Sequence, residues 1–150
     1  MTLASPADVK AAEGGEEYVS AWLEMDQSRV NRFADATDDH QWIHVDVERA
    51  KKESPFGGPI AHGFLTLALV PKWLEECVPL KQKLGVNYGT NKVRFMSPVL
   101  VGSKLRARFL AEKVNDVEQG GVQVIWRVTV QKEGVEKPVC VAEFITRHYF

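Results

Sequence analysis

A chain of 150 residues with 45% hydrophobic content is long enough for one folded unit with a substantial core and short for two. Its 19 basic and 20 acidic residues leave a formal charge of −1 with no long run of either sign, so nothing marks it as a nucleic-acid or membrane-surface binder. Cys77 and Cys140 stand far apart with no C-x-x-C or Cys/His companion, which argues against a disulfide framework or zinc and for a reducing cytoplasm.

The N-terminal stretch lacks an apolar leader core, and the longest apolar run, Phe64 to Val70, is too short to cross a bilayer. Residues 1–150 are read as a single domain with residues 1–17 as an N-terminal extension, which can form a short helix around Asp8 to Ala12 that covers one end of the core. Tyr18 to Met25 carries β-formers and predicts a first strand. Asp26 is placed to cap a helix from about Gln27 to Ala36, with Val30, Phe33 and Ala34 on its inner face. That helix delivers Asp38 and Asp39 into a loop. Asp46 can cap a second short helix, VERAKKE, before Pro55, Gly57, Gly58 and Pro59 break the chain.

From Phe64 to Val78 the sequence FLTLALVPKWLEECV is apolar on nearly every side of its first half, which predicts a helix encased by protein. Pro71 falls inside it and removes one backbone hydrogen bond, so a kink or tightening is expected there. Strands are expected next over Val86 to Phe95 and Lys104 to Lys113. The latter sets Leu105, Ala107 and Phe109 on one face. Gly120-Gly121 signals a hairpin into a strand that alternates through Val122, Val124, Trp126, Val128 and Val130. Val139 to Tyr149, apolar on both faces along much of its length, reads as a central last strand. One encased helix and about five strands joined mostly by short turns give an α+β class, an antiparallel sheet curled around a helix.

The chemistry-bearing stretch runs from Asp39 to Gly63. DHQWIHVD (Asp39 to Asp46) supplies an acid and a base, and IAHG (Ile60 to Gly63) supplies a glycine-led helix start. Asp39 and His44 can handle protons, while backbone N–H groups around Gly63 can hold an oxyanion; together they suit chemistry at a carbonyl. Taken singly, Asp39 could be a turn aspartate, His44 a hydrogen-bonded structural histidine and Gly63 a packing glycine; it is their combination that points to catalysis. Asp46 is most simply a helix cap. His62 could make a structural hydrogen bond, orient the loop or reach the substrate. His40-Gln41-Trp42-Ile43-His44 is one substitution from H-E-x-x-H, but Gln41 replaces the general base and no third ligand is evident, so no metal is assigned.

FADATDDHQWIHVD (Phe33 to Asp46), FGGPIAHGFLTLAL (Phe56 to Leu69) and VRFMSPVLVGSKLRA (Val93 to Ala107) occur in one order, and together they closely resemble the MaoC-like dehydratases. QWIH, AHGFLTLAL and NYGTNKVRF are most similar to the nodulation-protein-N-like branch of that family. The resemblance implies the hotdog fold and (R)-specific hydration of trans-2-enoyl-CoA, run in reverse as a dehydratase. Against the family's D-x-N-P-[IL]-H-x-D motif, Asp39 and His44 take the catalytic positions and Asp46 the trailing aspartate, while Gly63 matches the oxyanion glycine. Gln41 and Trp42 replace Asn-Pro; with His62 they are the residues expected at the substrate, Trp42 adding bulk near the acyl pocket. Pro71 stands where some relatives carry a hydroxyl. Lys92, Arg94 and Lys104 are candidates for the phosphates of coenzyme A. The resemblance further implies at least a homodimer with acyl-CoA as its small-molecule partner and no metal, nucleotide or flavin cofactor. Other chemistry on the same fold remains open at this point: a thioester hydrolase, an acyl-carrier-protein dehydratase, or a non-catalytic acyl-CoA-binding module.

Overall fold

The computed structural model describes Met1–Phe150. A short helix, α1 (Pro6–Ala11), opens the chain, capped by Ser5, whose hydroxyl accepts the Asp8 N–H. Leu3 and Val9 are fully buried and join a cluster of 25 core residues, so this segment packs onto the core. Two short strands follow where the sequence predicts one: β1 (Tyr18–Val19) and β2 (Leu23–Glu24), both antiparallel to β4 (Lys104–Val117). The break falls at Ser20, whose hydroxyl accepts the Ala107 N–H at 3.0 Å in place of a regular backbone rung.

Helix α2 (Gln27–Thr37) starts at Asp26, whose carboxylate accepts the Arg29 N–H, and buries Val30 and Ala34. It stops at Asp38, which adopts the left-handed conformation. A one-turn helix, α3 (Trp42–Val45), and α4 (Val47–Glu53) follow, with Asp46 capping α4 through the Arg49 N–H. The central helix comes as α5 (Gly63–Ala68) and α6 (Val70–Cys77). Leu69 between them stays right-handed helical while its N–H divides between the Leu65 and Thr66 carbonyls, the tightening that Pro71 two residues on is expected to cause. The helix is not wrapped all round. Leu65, Leu69, Val70 and Trp73 are buried, but Phe64 is 69% exposed beside the site described below.

Strands β3 (Leu84–Phe95), β4, β5 (Gly121–Lys132) and β6 (Cys140–Tyr149) complete an antiparallel sheet in the order β1-β4-β5-β6-β3. The expected alternation of β4 and β5 is present. Leu105, Ala107 and Phe109 face inward, as do Val122, Val124, Trp126, Val128 and Val130, each no more than 1% exposed. The hairpin between them turns on left-handed Gln119 and Gly120. As expected, β6 is central, between β5 and β3, but its faces are not both apolar: Thr146 and His148 lie buried on its inner face. The Trp126 indole N–H donates to the Thr146 hydroxyl at 2.8 Å, and that hydroxyl lies 2.6 Å from His148 Nε2. β3 is an edge strand, exposed along almost its whole length, with Leu84, Val86, Tyr88 and Phe95 open to solvent. A sheet curled about one helix is the hotdog arrangement. No helix is long and apolar enough to cross a membrane. Both cysteines are free, and burial pushes each thiol up to about 11.

Candidate active site

Backbone rungs assemble the site from three places in the chain. The segment leading into α5 is held on both sides: Ile60 N–H donates to the Ile43 carbonyl of α3 at 3.0 Å, and Ala61 N–H donates to Val99 beyond β3 at 2.8 Å. Gln27 of α2 donates its side-chain amide to the His44 carbonyl at 2.8 Å, tying α3 to α2. His44, Asp39 and the start of α5 therefore share one corner.

His44 is 7% exposed, and its Nδ1 lies 2.6 Å from the Ile60 carbonyl. A carbonyl only accepts, so Nδ1 carries the proton and Nε2 keeps its lone pair. Burial lowers the imidazole below its ordinary value, with His62 acting in the same direction. The Ile60 hydrogen bond and the Asp39 charge oppose the shift without overcoming it. At neutral pH His44 is an uncharged base with one free nitrogen.

His62 lies behind it. Its Nε2 is 3.0 Å from the Asp39 carbonyl, its ring stacks on His44 with centroids 3.9 Å apart, and the Phe33 ring lies tilted against it at 4.9 Å. One side chain thus touches both the backbone of Asp39 and the ring of His44. The Asp39 carboxylate is 54% exposed. Donor atoms of Asp39, His44 and His62 all lie within 4.8 Å of one another. Two acceptors sharing a single water stand roughly 4.5 Å apart, so this spacing suits a bridging water. It suits a metal poorly, because an ion bound by both imidazoles must lie in both ring planes, and stacked rings tilted by only 25° do not converge on one point.

Gly63 occupies the first position of α5, where a backbone N–H has no intrahelical acceptor. A Cβ here would come within 2.9 Å of the Phe95 ring, so the close approach of that ring requires glycine. Gly63 lines a cavity of about 320 Å³ whose wall, including Phe56, Ile60, Phe95 and Val139, is mostly apolar. Gln41 and Trp42 do not reach this wall. Gln41 is exposed at the start of α3, and the Arg49 guanidinium lies over the Trp42 ring at 4.2 Å, turning that bulk toward α4. His40 pairs outside the site with Asp35 at 2.9 Å. Of the candidate phosphate contacts, Arg94 donates to the Val93 carbonyl and Lys104 lies 3.9 Å from Glu133. Two contributors escaped the sequence reading. Phe33 reads only as an inner-face residue of α2, and Thr66 is legible as the lone polar residue in FLTLALV.

Buried His44 and the half-exposed Asp39 carboxylate lie beside a helix start in a sheet curled around that helix, the hotdog arrangement. Residues 9–133 match the MaoC like domain, and the chain belongs to that family. It is 51% identical over 148 residues to 3-hydroxyacyl-thioester dehydratase Z of Mycobacterium tuberculosis, covering 98% of this chain and 97% of that protein. Nodulation protein N of Rhizobium meliloti is 45% identical over 143 residues, covering 94% and 89%. Among solved structures, the (R)-hydratase from A. caviae involved in PHA biosynthesis superposes with a TM-score of 0.71 at 21% identity, over 88% of this chain and 93% of that one.

Proposed function

We propose that the protein is an (R)-specific enoyl-CoA hydratase, converting trans-2-enoyl-CoA to (R)-3-hydroxyacyl-CoA and acting in reverse as a dehydratase. The observation that carries this reading is the juxtaposition of neutral His44, its Nδ1 held by the Ile60 carbonyl, with the Asp39 carboxylate, a ring nitrogen and a carboxylate oxygen lying within 4.8 Å of each other. The pair activates that water for attack at Cβ and supplies the proton to Cα. As charge moves onto the thioester oxygen, the Gly63 N–H stabilises it, a contribution worth roughly 3 kcal/mol for one such donor. Carbon chemistry of this kind needs no metal or organic cofactor. The names of the relatives, a 3-hydroxyacyl-thioester dehydratase and an (R)-hydratase, support the same class. A second copy of the chain completes the assembly in this reading: the unpaired outer edge of β3 and exposed Phe64 offer it an apolar seat next to the cavity.

The test is incubation with crotonyl-CoA while both enoyl-thioester absorbance and free thiol are followed. Loss of absorbance without thiol release is expected. Release of free coenzyme A would make the protein a thioesterase, and binding without turnover would make it an acyl-CoA-binding module.

A further inference from the structure

Thr66 is 2% exposed, and its hydroxyl is buried without a hydrogen-bond partner. A helical threonine ordinarily satisfies its hydroxyl by bonding a carbonyl one turn back. Here the His62 carbonyl already accepts the Leu65 and Thr66 N–H groups, and the Thr66 hydroxyl makes no bond to it. The residue instead lines the cavity that Gly63 lines. Ser97 is the other lining residue with a polar side chain, and its hydroxyl donates to the Pro138 carbonyl at 3.2 Å. Thr66 therefore holds the one uncommitted side-chain hydrogen-bonding group in an otherwise apolar wall. A buried hydroxyl left bare is costly, and a ligand oxygen removes the cost.

Resting on the hydratase reading above, we infer that the Thr66 hydroxyl is a second donor to the substrate's thioester oxygen, acting beside the Gly63 N–H. The two are three positions apart on the helix, which puts them on one face about a turn apart, and helical side chains lean toward the N-terminus, carrying the hydroxyl back toward Gly63. The donor pair contacts the oxygen that gains charge when water adds at Cβ and loses it when the proton reaches Cα. Thr66 is then a catalytic residue, and its bond strengthens in the transition state.

Thr66→Val and Thr66→Ser separate this role from packing, since valine keeps the shape and serine keeps the hydroxyl. With crotonyl-CoA, Thr66→Val is expected to lower kcat about 10²-fold, the usual effect of losing one oxyanion donor, with little change in KM. Thr66→Ser keeps most of the rate. The Tm of Thr66→Val equals or exceeds that of the wild type, because an unsatisfied buried hydroxyl has gone. An active wild type with an equally active Thr66→Val would overturn the inference alone, as would a parallel loss of rate and Tm in both variants. A wild type that leaves crotonyl-CoA unhydrated would remove the hydratase reading and the inference with it.

Discussion

Asp39→Asn is expected to slow hydration of crotonyl-CoA by about 10²–10⁴-fold, and His44→Gln to do the same, each with an unchanged fold by circular dichroism. Asparagine keeps the shape of Asp39 but cannot take a proton. Glutamine at His44 can still donate to the Ile60 carbonyl but offers no basic nitrogen. Both residues hold one water in the proposed mechanism, so the double variant should lose little more than either single one. Summed losses in the double variant would mean that the two groups act on separate steps. The backbone around the pair is well supported by Gln27, Ile43 and His62, and steady-state kinetics therefore report chemistry rather than collapse of the site.

Stability should fall in mild acid through His148, a group outside the catalytic corner. Burial pushes its imidazole down to about 4 from an ordinary 6.5. The Trp126 N–H donates to Thr146, the Thr146 hydroxyl donates to His148 Nε2, and His148 Nδ1 donates to the Gln82 side-chain carbonyl. The run of donors suits a neutral ring. Above pH 6.5 the ring is neutral folded or unfolded, and its full contribution is present. Between 6.5 and about 4 the unfolded chain takes up a proton that the folded chain refuses, and the gap corresponds to roughly 3 kcal/mol lost across that window. His44, also lowered, acts in the same direction. Urea unfolding at pH 7.5 and pH 4 should show a steeper loss for the wild type than for His148→Gln, and equal slopes would contradict the assignment.

How much of this was legible in the sequence depends on how local the determining forces are. Alternation marks β4 and β5 because one face of each is buried, and Asp26 and Asp46 announce their helices because a cap acts within three residues. Pro71 marks the tightening for the same reason. The first strand looked continuous because the Ser20 hydroxyl that replaces a rung reaches a partner 87 residues away. Helix α5 reads as encased because Phe64 is apolar, yet Phe64 faces out beside an edge strand. Asp39, His44 and Gly63 could be picked out by motif. Their arrangement could not: the stacking of His62 on His44 spans 18 residues, and the direction of Trp42 is set by Arg49. Thr66 was visible as a polar residue in an apolar run, but only the cavity wall shows that its hydroxyl has nothing else to bind.

In the proposed mechanism Asp39, His44 and the start of α5 deliver water to one face of an enoyl thioester. Its most direct test couples the product formed from crotonyl-CoA by the purified protein to dehydrogenases specific for the (R)- and the (S)-3-hydroxyacyl-CoA. Signal is expected through the (R)-specific enzyme alone, abolished by Asp39→Asn. An (S)-product, or an (R)-product formed equally well by Asp39→Asn, would contradict it.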